Sequence, residues 1–189
     1  WFQDDSVERN LFARIYIQLG EKENLHTRYK CRIRQPWYKV PSVYATEIGM
    51  LKRAHDMPRL ILNKIGAYTT DTAYRIRIKE VTAHQLVYNF INALTALSAE
   101  LEGRHYGGGV LELVPSEIER LLIPLPKKVK PNIAGLDKAI RSLSMDMVLE
   151  RQTKTILGAM GLSVIEQDEL LNGWKKLRDR RHRTSSEAT

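Results

Sequence analysis

Residues 104–126 read RHYGGGVLELVPSEIERLLIPLP, and this stretch contains the clearest local structural signals in the chain. Three glycines precede a strand-like run, and Pro115 then opens a short amphipathic segment. A loop that cradles a phosphate instead follows a strand and opens a helix, whose backbone amides face the anion. Because these glycines precede a strand, we predict that they form a tight turn or a close strand crossing and not a nucleotide site.

Helices are predicted on both sides of the glycines. The segment after the strand is expected to form a helical turn with Ser116 as its N-cap and Glu119 three residues later. Residues 82–103 predict one helix that ends at Gly103 as a C-cap. Its nonpolar stripe consists of Leu86, Phe90, Leu94, Leu97 and Leu101.

The N-terminal part of the chain predicts a further helix over residues 5–19. Its nonpolar side chains follow one another at helical spacing. Asp5 or Ser6 is the expected N-cap, and Gly20 is the expected end.

Besides the strand after the glycines, three segments predict strands. In RYKCRIRQPWYKVP (28–41), hydrophobic and cationic residues alternate, as in a half-buried strand, until Pro36. Residues 57–63 and 74–78 predict two more strands, joined by the loop KIGAYTTDTAY (64–74).

The remaining chain is helical in character. Residues 135–161 and 163–183 predict two helices, separated at Gly161 and with Ser163 as a cap. We therefore predict an α+β fold: a mixed sheet body with packed helices over residues 1–126, followed by a helical C-terminal extension. A Pro/Lys-rich connector occupies 127–135, the extension 136–183, and a frayed tail 184–189.

Composition favours a soluble, cytoplasmic, nucleic-acid-binding protein. The 189 residues carry a net charge of +8, and the pI is near 9.6. An excess of cations favours a polyanionic partner, although many basic proteins bind no nucleic acid. No nonpolar run is long enough for a membrane span, and no signal peptide is visible. Since the chain begins at Trp1, we expect a processed chain or a fragment of a longer protein.

No catalytic set is recognisable. Cys31 is the single cysteine, so an internal disulfide and a multi-cysteine zinc site are excluded. The five histidines show no metal-binding spacing, and we predict no metal site that is local in sequence. Cys31 lies beside arginines that could lower its pKa, but a cysteine in such a position more often faces a core.

Two cationic ladders are the strongest functional signal. The first consists of Arg28, Lys30, Arg32 and Arg34, and the second of Arg75, Arg77 and Lys79. Alternate residues of a strand share one face at a spacing of about 6.6 Å, close to the repeat of phosphates along a nucleic-acid strand. A solvated polar sheet face is the alternative. The residues that we predict to contact DNA phosphates are Arg32, Arg34, Lys39, Arg75 and Arg77.

The loop between the second and third predicted strands is the expected site of base reading. Tyr68, Thr70 and Asp71 offer donors and acceptors that could meet base edges. A plain Asx-type turn is the alternative interpretation.

Several stretches together resemble the C-terminal region of TaqI-like adenine-N6 DNA methyltransferases, the class with N-terminal catalysis that includes fused restriction-modification enzymes. They are RIRQPWYKVP, MPRLILNKIGAYTTDTAYRI and RHYGGGVLELVPSEIERLLIPLP, in this order over about residues 25–126. GLDKAI and GLSVIEQDELLNGWKKLRDRR resemble the family's usual tail.

The resemblance implies a target recognition domain, which reads the DNA sequence to be methylated. Trp37 and Tyr38 match a Trp-Tyr pair expected to pack or position the nearby segment, and Tyr68, Thr70 and Asp71 fall in the variable loop. The residues that match the family's glycine and proline series, with an expected structural role, are Gly107, Gly108, Pro115 and Pro124.

The family's catalytic Asn-Pro-Pro-Tyr motif and its S-adenosylmethionine loop do not occur in this sequence. We therefore expect the chain itself to have no catalytic residues and no cofactor. The expected parent is an adenine-specific DNA methyltransferase that uses S-adenosylmethionine and carries its catalytic domain upstream. The expected partners are double-stranded DNA and that catalytic domain.

The alternative function is a protein-interaction module. In this interpretation, the helical extension would dock through nonpolar side chains, namely Leu149, Ile156, Leu157, Leu170 and Leu171.

Overall fold

The computed structural model of the chain describes residues 10–39 and 44–186, with side chains described as far as residue 183. Two compact units divide between Tyr44 and Ala45, and they are called here the N-terminal and C-terminal units. Across the described ranges, no helix combines the length and hydrophobicity that a bilayer crossing requires. The predicted N-cap at Asp5 or Ser6 lies outside the described residues.

The N-terminal unit contains helix α1 (Leu11–Lys22), a 3₁₀ turn (Leu25–Thr27) and the short helix α2 (Tyr29–Arg32). Asn10 caps α1, because its side chain accepts a hydrogen bond from the amide of Ala13 at 3.2 Å. The helix continues through Gly20, so the prediction that it ends there is wrong.

The predicted strand over residues 28–34 is also wrong. Cys31 and Arg32 donate their amides to the carbonyl of Arg28 at 2.9 and 3.0 Å, which closes a helical turn. The described residues of this unit include no strand with which such a segment could pair. Alternation over so few residues does not separate a strand from a short helix, and local hydrogen bonds decide here.

The C-terminal unit contains six strands in two antiparallel sheets, which agrees with the predicted α+β class. The strands are β1 (Ile48–Leu51), β2 (Arg53–Ala54), β3 (Leu60–Leu62), β4 (Ala73–Ile76), β5 (Arg104–Tyr106) and β6 (Val110–Glu112). The first sheet has the order β3-β1-β4, and the second has the order β2-β6-β5. The strands predicted within 57–63 and 74–78 correspond to β3 and β4.

One face of the first sheet packs into the hydrophobic core. Ile48 and Met50 of β1 are fully buried in the core. The register places Gly49 between Ile61 on β3 and Arg75 on β4, and side chains alternate between faces along a strand. Gly49, Ile61 and Arg75 therefore share the opposite face, which we call the outer face.

The glycines of the opening stretch form the turn of a β-hairpin. Strands β5 and β6 pair with Tyr106 opposite Val110, so Gly107, Gly108 and Gly109 make the connection. The backbone φ angles of Gly108 and Gly109 are +77° and +69°, in the region that favours glycine. The predicted tight turn is confirmed.

The helix predicted over 82–103 is divided into α3 (Ala83–Asn89) and α4 (Ala93–Glu102). Asn92 interrupts it, because its side chain accepts from the Thr95 amide at 3.0 Å and donates to the Asn89 carbonyl at 2.6 Å. Gly103 ends α4, as predicted.

Helix α5 (Pro115–Ile118) begins two residues earlier than predicted. Its N-cap is Val114, whose amide donates to Glu117 at 2.8 Å, so the expected cap at Ser116 is wrong. Proline at the first helical position lacks only an amide that would have no partner within the helix.

Three further helices complete the C-terminal unit: α6 (Ile133–Ser142), α7 (Met145–Ala159) and α8 (Val164–Ser186). The helix predicted over 135–161 is interrupted at Ser144, which caps α7. Ser163 caps α8 through reciprocal bonds with Glu166, as predicted. Trp174 of α8 is fully buried, so this helix is part of the core.

Candidate nucleic-acid interface

The loop of residues 64–72, between β3 and β4, is held at its base by Asn63. The Asn63 side-chain amide donates to the carbonyls of Thr46 and Ala67 at 2.9 and 2.8 Å, and its oxygen accepts from the Ala67 amide at 2.8 Å. Through these bonds one asparagine side chain links the loop backbone at Ala67 to the segment that precedes β1, and the base of the loop is fixed by side-chain hydrogen bonds. Asn63 is thus a positioning residue for this loop.

The predicted base-reading residues lie on this loop. Tyr68 exposes 54% of its surface, and Ile65, near the loop tip, exposes 89%. The hydroxyls of Thr70 and Thr72 lie 2.8 Å apart, and the Ala73 amide donates to the Thr70 carbonyl, so Asp71 sits on an exposed turn. A turn closed by this backbone hydrogen bond is therefore present, and it displays Asp71 to solvent.

The loop lies against the outer face of the first sheet. A Cβ added to Gly49 would be 3.9 Å from the Thr69 methyl group, which is ordinary contact distance. On the same face, Arg75 is half-buried, and Arg77 is exposed just beyond the end of β4. The structure therefore brings Tyr68, Thr70 and Asp71 onto one loop-and-strand segment with both of these arginines.

A groove of about 970 Å³ adjoins β3, the edge strand of the first sheet, and α6. Leu51 and Ile61 supply part of its nonpolar lining, and Arg59 and Lys64 are exposed cations in its wall. Two further cations are neutralised, since Arg53 pairs with Glu112 at 2.5 Å and Arg141 pairs with Asp137 at 2.9 Å.

The other predicted phosphate contacts, Arg32, Arg34 and Lys39, lie in the N-terminal unit. Arg32 and Lys39 are exposed, and Arg34 is half-buried. Along a helix, residues four apart share a face and residues two apart do not. The cationic ladder expected from a strand at 28–34 is therefore wrong, and phosphate contact by these three residues remains a prediction.

Trp37 packs closely against α1. A Cβ at Gly20 would lie 2.6 Å from Cη2 of Trp37, and the indole N–H donates to Glu21 at 3.2 Å. The Tyr38 ring meets the Trp37 ring edge-on at 5.8 Å between centroids. In the N-terminal unit this pair holds the segment after α2 against the first helix.

The four predicted structural residues lie in the C-terminal unit. Gly107 and Gly108 are exposed at the hairpin turn, and Pro115 opens α5. Pro124 is buried, and the preceding segment is held by α4, where the Thr95 hydroxyl donates to the Leu122 carbonyl at 2.8 Å.

Sequence reasoning missed the most buried charge of the molecule. The side chains of Arg181 and Glu100 are both fully buried and form a bidentate pair with distances of 3.1 and 2.7 Å. Arg181 also donates to the carbonyls of His55, Asp56 and Gly109. A buried pair of this kind needs all of its polar atoms satisfied. No local signal in a basic helix end marks Arg181 as an arginine that faces inward.

The side chains that the alternative function requires for docking are mostly buried in the hydrophobic core of the C-terminal unit. Leu149, Ile156 and Leu157 are fully buried, and Leu171 exposes 5% of its surface. Leu170 is partly buried against the same core. The helical extension therefore does not offer these residues to a partner, and docking through them is wrong.

A comparison with models of protein families matches residues 2–157 to the C-terminal domain of the type II methyltransferase M.Eco57I. The matched segment is the larger part of the chain and includes the loop of residues 64–72 and the β5–β6 hairpin. It agrees with the resemblance to a methyltransferase C-terminal region. The comparisons with curated proteins and with solved structures give no match.

Proposed function

Because the chain belongs to the family of the C-terminal domain of the type II methyltransferase M.Eco57I, we propose that it binds double-stranded DNA and reads a short target sequence. One observation carries the proposal most directly. The Asn63-clamped loop displays Tyr68, Thr70 and Asp71 next in sequence to Arg75 of β4 and to Arg77, which follows β4.

The loop has the properties that base reading requires. Its base is fixed by hydrogen bonds, so little conformational entropy is lost when it enters a groove. Thr70 and Asp71 supply hydroxyl and carboxylate groups of the kind that distinguish base edges. Exposed Tyr68 and Ile65 offer an aromatic and an aliphatic surface, which can contact thymine methyl groups or separate base steps.

Cationic side chains supply the sequence-independent part of binding. Half-buried Arg75 and exposed Arg77 lie on the face that carries the loop, and exposed Arg59 and Lys64 line the adjoining groove. In the N-terminal unit, seven Lys or Arg residues face only two Glu residues over residues 10–39. Such an excess attracts DNA from a distance and places it for base contacts.

We propose further that the parent enzyme is adenine-specific and transfers the methyl group from S-adenosylmethionine. The catalytic domain of the same parent chain would bind that cofactor and the flipped adenine, since this sequence has no Asn-Pro-Pro-Tyr motif. The exposed nonpolar face of α1, formed by Phe12, Ile15 and Tyr16, is a surface on which that domain could rest.

Replacing Arg77 with Glu tests the proposed DNA surface. Binding of the 189-residue chain to a short mixed-sequence duplex is measured by fluorescence anisotropy over a range of salt concentrations. Loss of one phosphate contact lowers the slope of log K against log salt by about 0.9. We expect Arg77→Glu to weaken binding to all sequences and to reduce the magnitude of the slope by about 0.9, the value for one phosphate contact.

Lys176→Glu on α8 is the matched control, because it reverses one exposed charge without touching the proposed surface. It should leave the slope nearly unchanged. An equal loss of affinity and slope in both variants would show that net charge alone, and not the face of β4, attracts the duplex.

A further inference from the structure

Two histidines that are 127 residues apart in sequence meet at one end of the C-terminal unit. The rings of His55, which follows β2, and His182, near the end of α8, stack with 4.3 Å between centroids and 29° between planes. Asp56 lies beside them. One ligand atom from each of these three residues falls within 4.8 Å of the other two.

The backbone that carries this cluster is rigidly supported. Arg181 donates to the carbonyls of His55 and Asp56 at 2.7 and 3.1 Å, and Glu100 holds the guanidinium from the other side. The β2–β3 connection is thereby tied to α8 at the residue next to His182. Glu100 neutralises Arg181, the arginine that holds the backbone of the cluster.

The orientation of His182 is fixed by a backbone contact. Its Nε2 lies 3.0 Å from the carbonyl oxygen of His55, which can only accept, so Nε2 carries the proton and donates. In the neutral ring this places the lone pair on Nδ1. Metal-binding histidines are oriented in the same way, by a hydrogen bond from the other ring nitrogen.

The glycine turn makes room for this ring. A Cβ at Gly109 would lie 3.0 Å from Cδ2 of His182 and 3.5 Å from Nε2 of His55. Gly109 therefore lets the hairpin approach the His182 ring, which a residue with a Cβ would crowd, and leaves ordinary contact with His55. Gly109 of the hairpin turn, which the proposed DNA-reading loop does not include, thus contributes to the packing of this cluster.

We propose that His55, Asp56 and His182 bind a zinc-type divalent cation. Two imidazoles and one carboxylate are donors that zinc accepts, with water completing a tetrahedron. Ligand atoms at about 2.1 Å from one zinc ion are roughly 3.4 Å from each other, so the side chains close by about an ångström on binding. The ion would join the β2–β3 connection to α8 and stabilise that contact.

Calorimetric titration of the untagged chain with ZnCl₂ tests the proposal, and CoCl₂ titration reports the coordination through visible absorption bands. We expect one ion per chain and a rise in Tm with added Zn²⁺, since an ion that binds only the folded state stabilises it. His55→Ala, which leaves the backbone carbonyl of residue 55 in place, should weaken Zn²⁺ binding at least tenfold and abolish the Tm rise.

His84→Ala is the matched control, because His84 is an exposed histidine on α3 that lies outside the cluster. It should bind Zn²⁺ as the unmodified chain does. Asp56→Asn should weaken binding and change the Co²⁺ spectrum. The proposal is overturned if Zn²⁺ does not bind at one ion per chain, or if His55→Ala binds it as tightly as His84→Ala does.

Discussion

At the scale of single residues, the hairpin glycines differ in what they require. Gly107 has no positive φ and meets nothing within 4 Å, whereas Gly108 combines a positive φ with open space. Gly109 has both a positive φ and close neighbours, and its carbonyl oxygen accepts a hydrogen bond from Arg181. Only the second and third glycines are therefore demanded by the fold.

Alanine substitutions separate these effects. Gly107→Ala should leave the free energy of unfolding nearly unchanged, and Gly108→Ala should lower it by about 1–2 kcal/mol, the cost of a left-handed backbone for a residue with a Cβ. Gly109→Ala should cost more than Gly108→Ala, because the ring of His182 must also move. Urea unfolding measures all three, and equal costs at positions 107 and 109 would contradict this account.

The sequence predicts the turn but not its partners. Three consecutive glycines ahead of a strand predict a tight turn, because the turn depends only on the backbone freedom of adjacent residues. That Arg181, and not its exposed neighbour Arg180, reaches the turn depends on how α8 packs against α4. The same holds for His55 and His182, whose separation in sequence hides their proximity.

At the scale of elements, caps and local hydrogen bonds explain most differences from the sequence-based predictions. Nonpolar periodicity continues across Asn92 and Ser144, but each side chain caps the helix that follows it. The segment at 29–32 shows alternation that favours a strand, yet a turn of helix satisfies its backbone. Periodicity therefore located the elements better than it located their ends.

Helix α5 gives an element-scale prediction about pH. The hydrogen bond from the Val114 amide, with further help from Arg104 at 2.8 Å, lowers the pKa of Glu117 below its ordinary value of 4.5. Because the pKa is lower in the folded state than in the unfolded state, ionised Glu117 stabilises the fold at pH values above the ordinary pKa. This contribution is lost as the pH falls through the lowered pKa.

Glu117→Gln should therefore reduce the unfolding free energy at pH 7 by about 1.5–3 kcal/mol, the scale of a hydrogen bond to a charged group. The difference from the unmodified chain should shrink as the pH falls below about 4.5. Glu119→Gln, at an exposed position on the same segment, should show little effect at either pH. A Glu117→Gln deficit that does not change with pH would argue against a role for the charge.

At the scale of the whole molecule, the chain joins an N-terminal unit rich in exposed cations to a C-terminal unit with a clamped loop. The α+β class and the loop position were predictable, because the strands that flank the loop have strong nonpolar patterns. The helices of the C-terminal extension could not be assigned to the core from sequence, since an amphipathic helix looks the same whether it packs inward or binds a partner.

Selection from a library of random DNA duplexes tests the central claim most directly. The 189-residue chain should enrich one short sequence, because the loop of residues 64–72 presents fixed donors and acceptors. Thr70→Val and Asp71→Ala should change or relax the enriched sequence while total duplex binding stays within a few-fold. Enrichment of no sequence, or of the same sequence by the unmodified chain and both variants, would contradict the account.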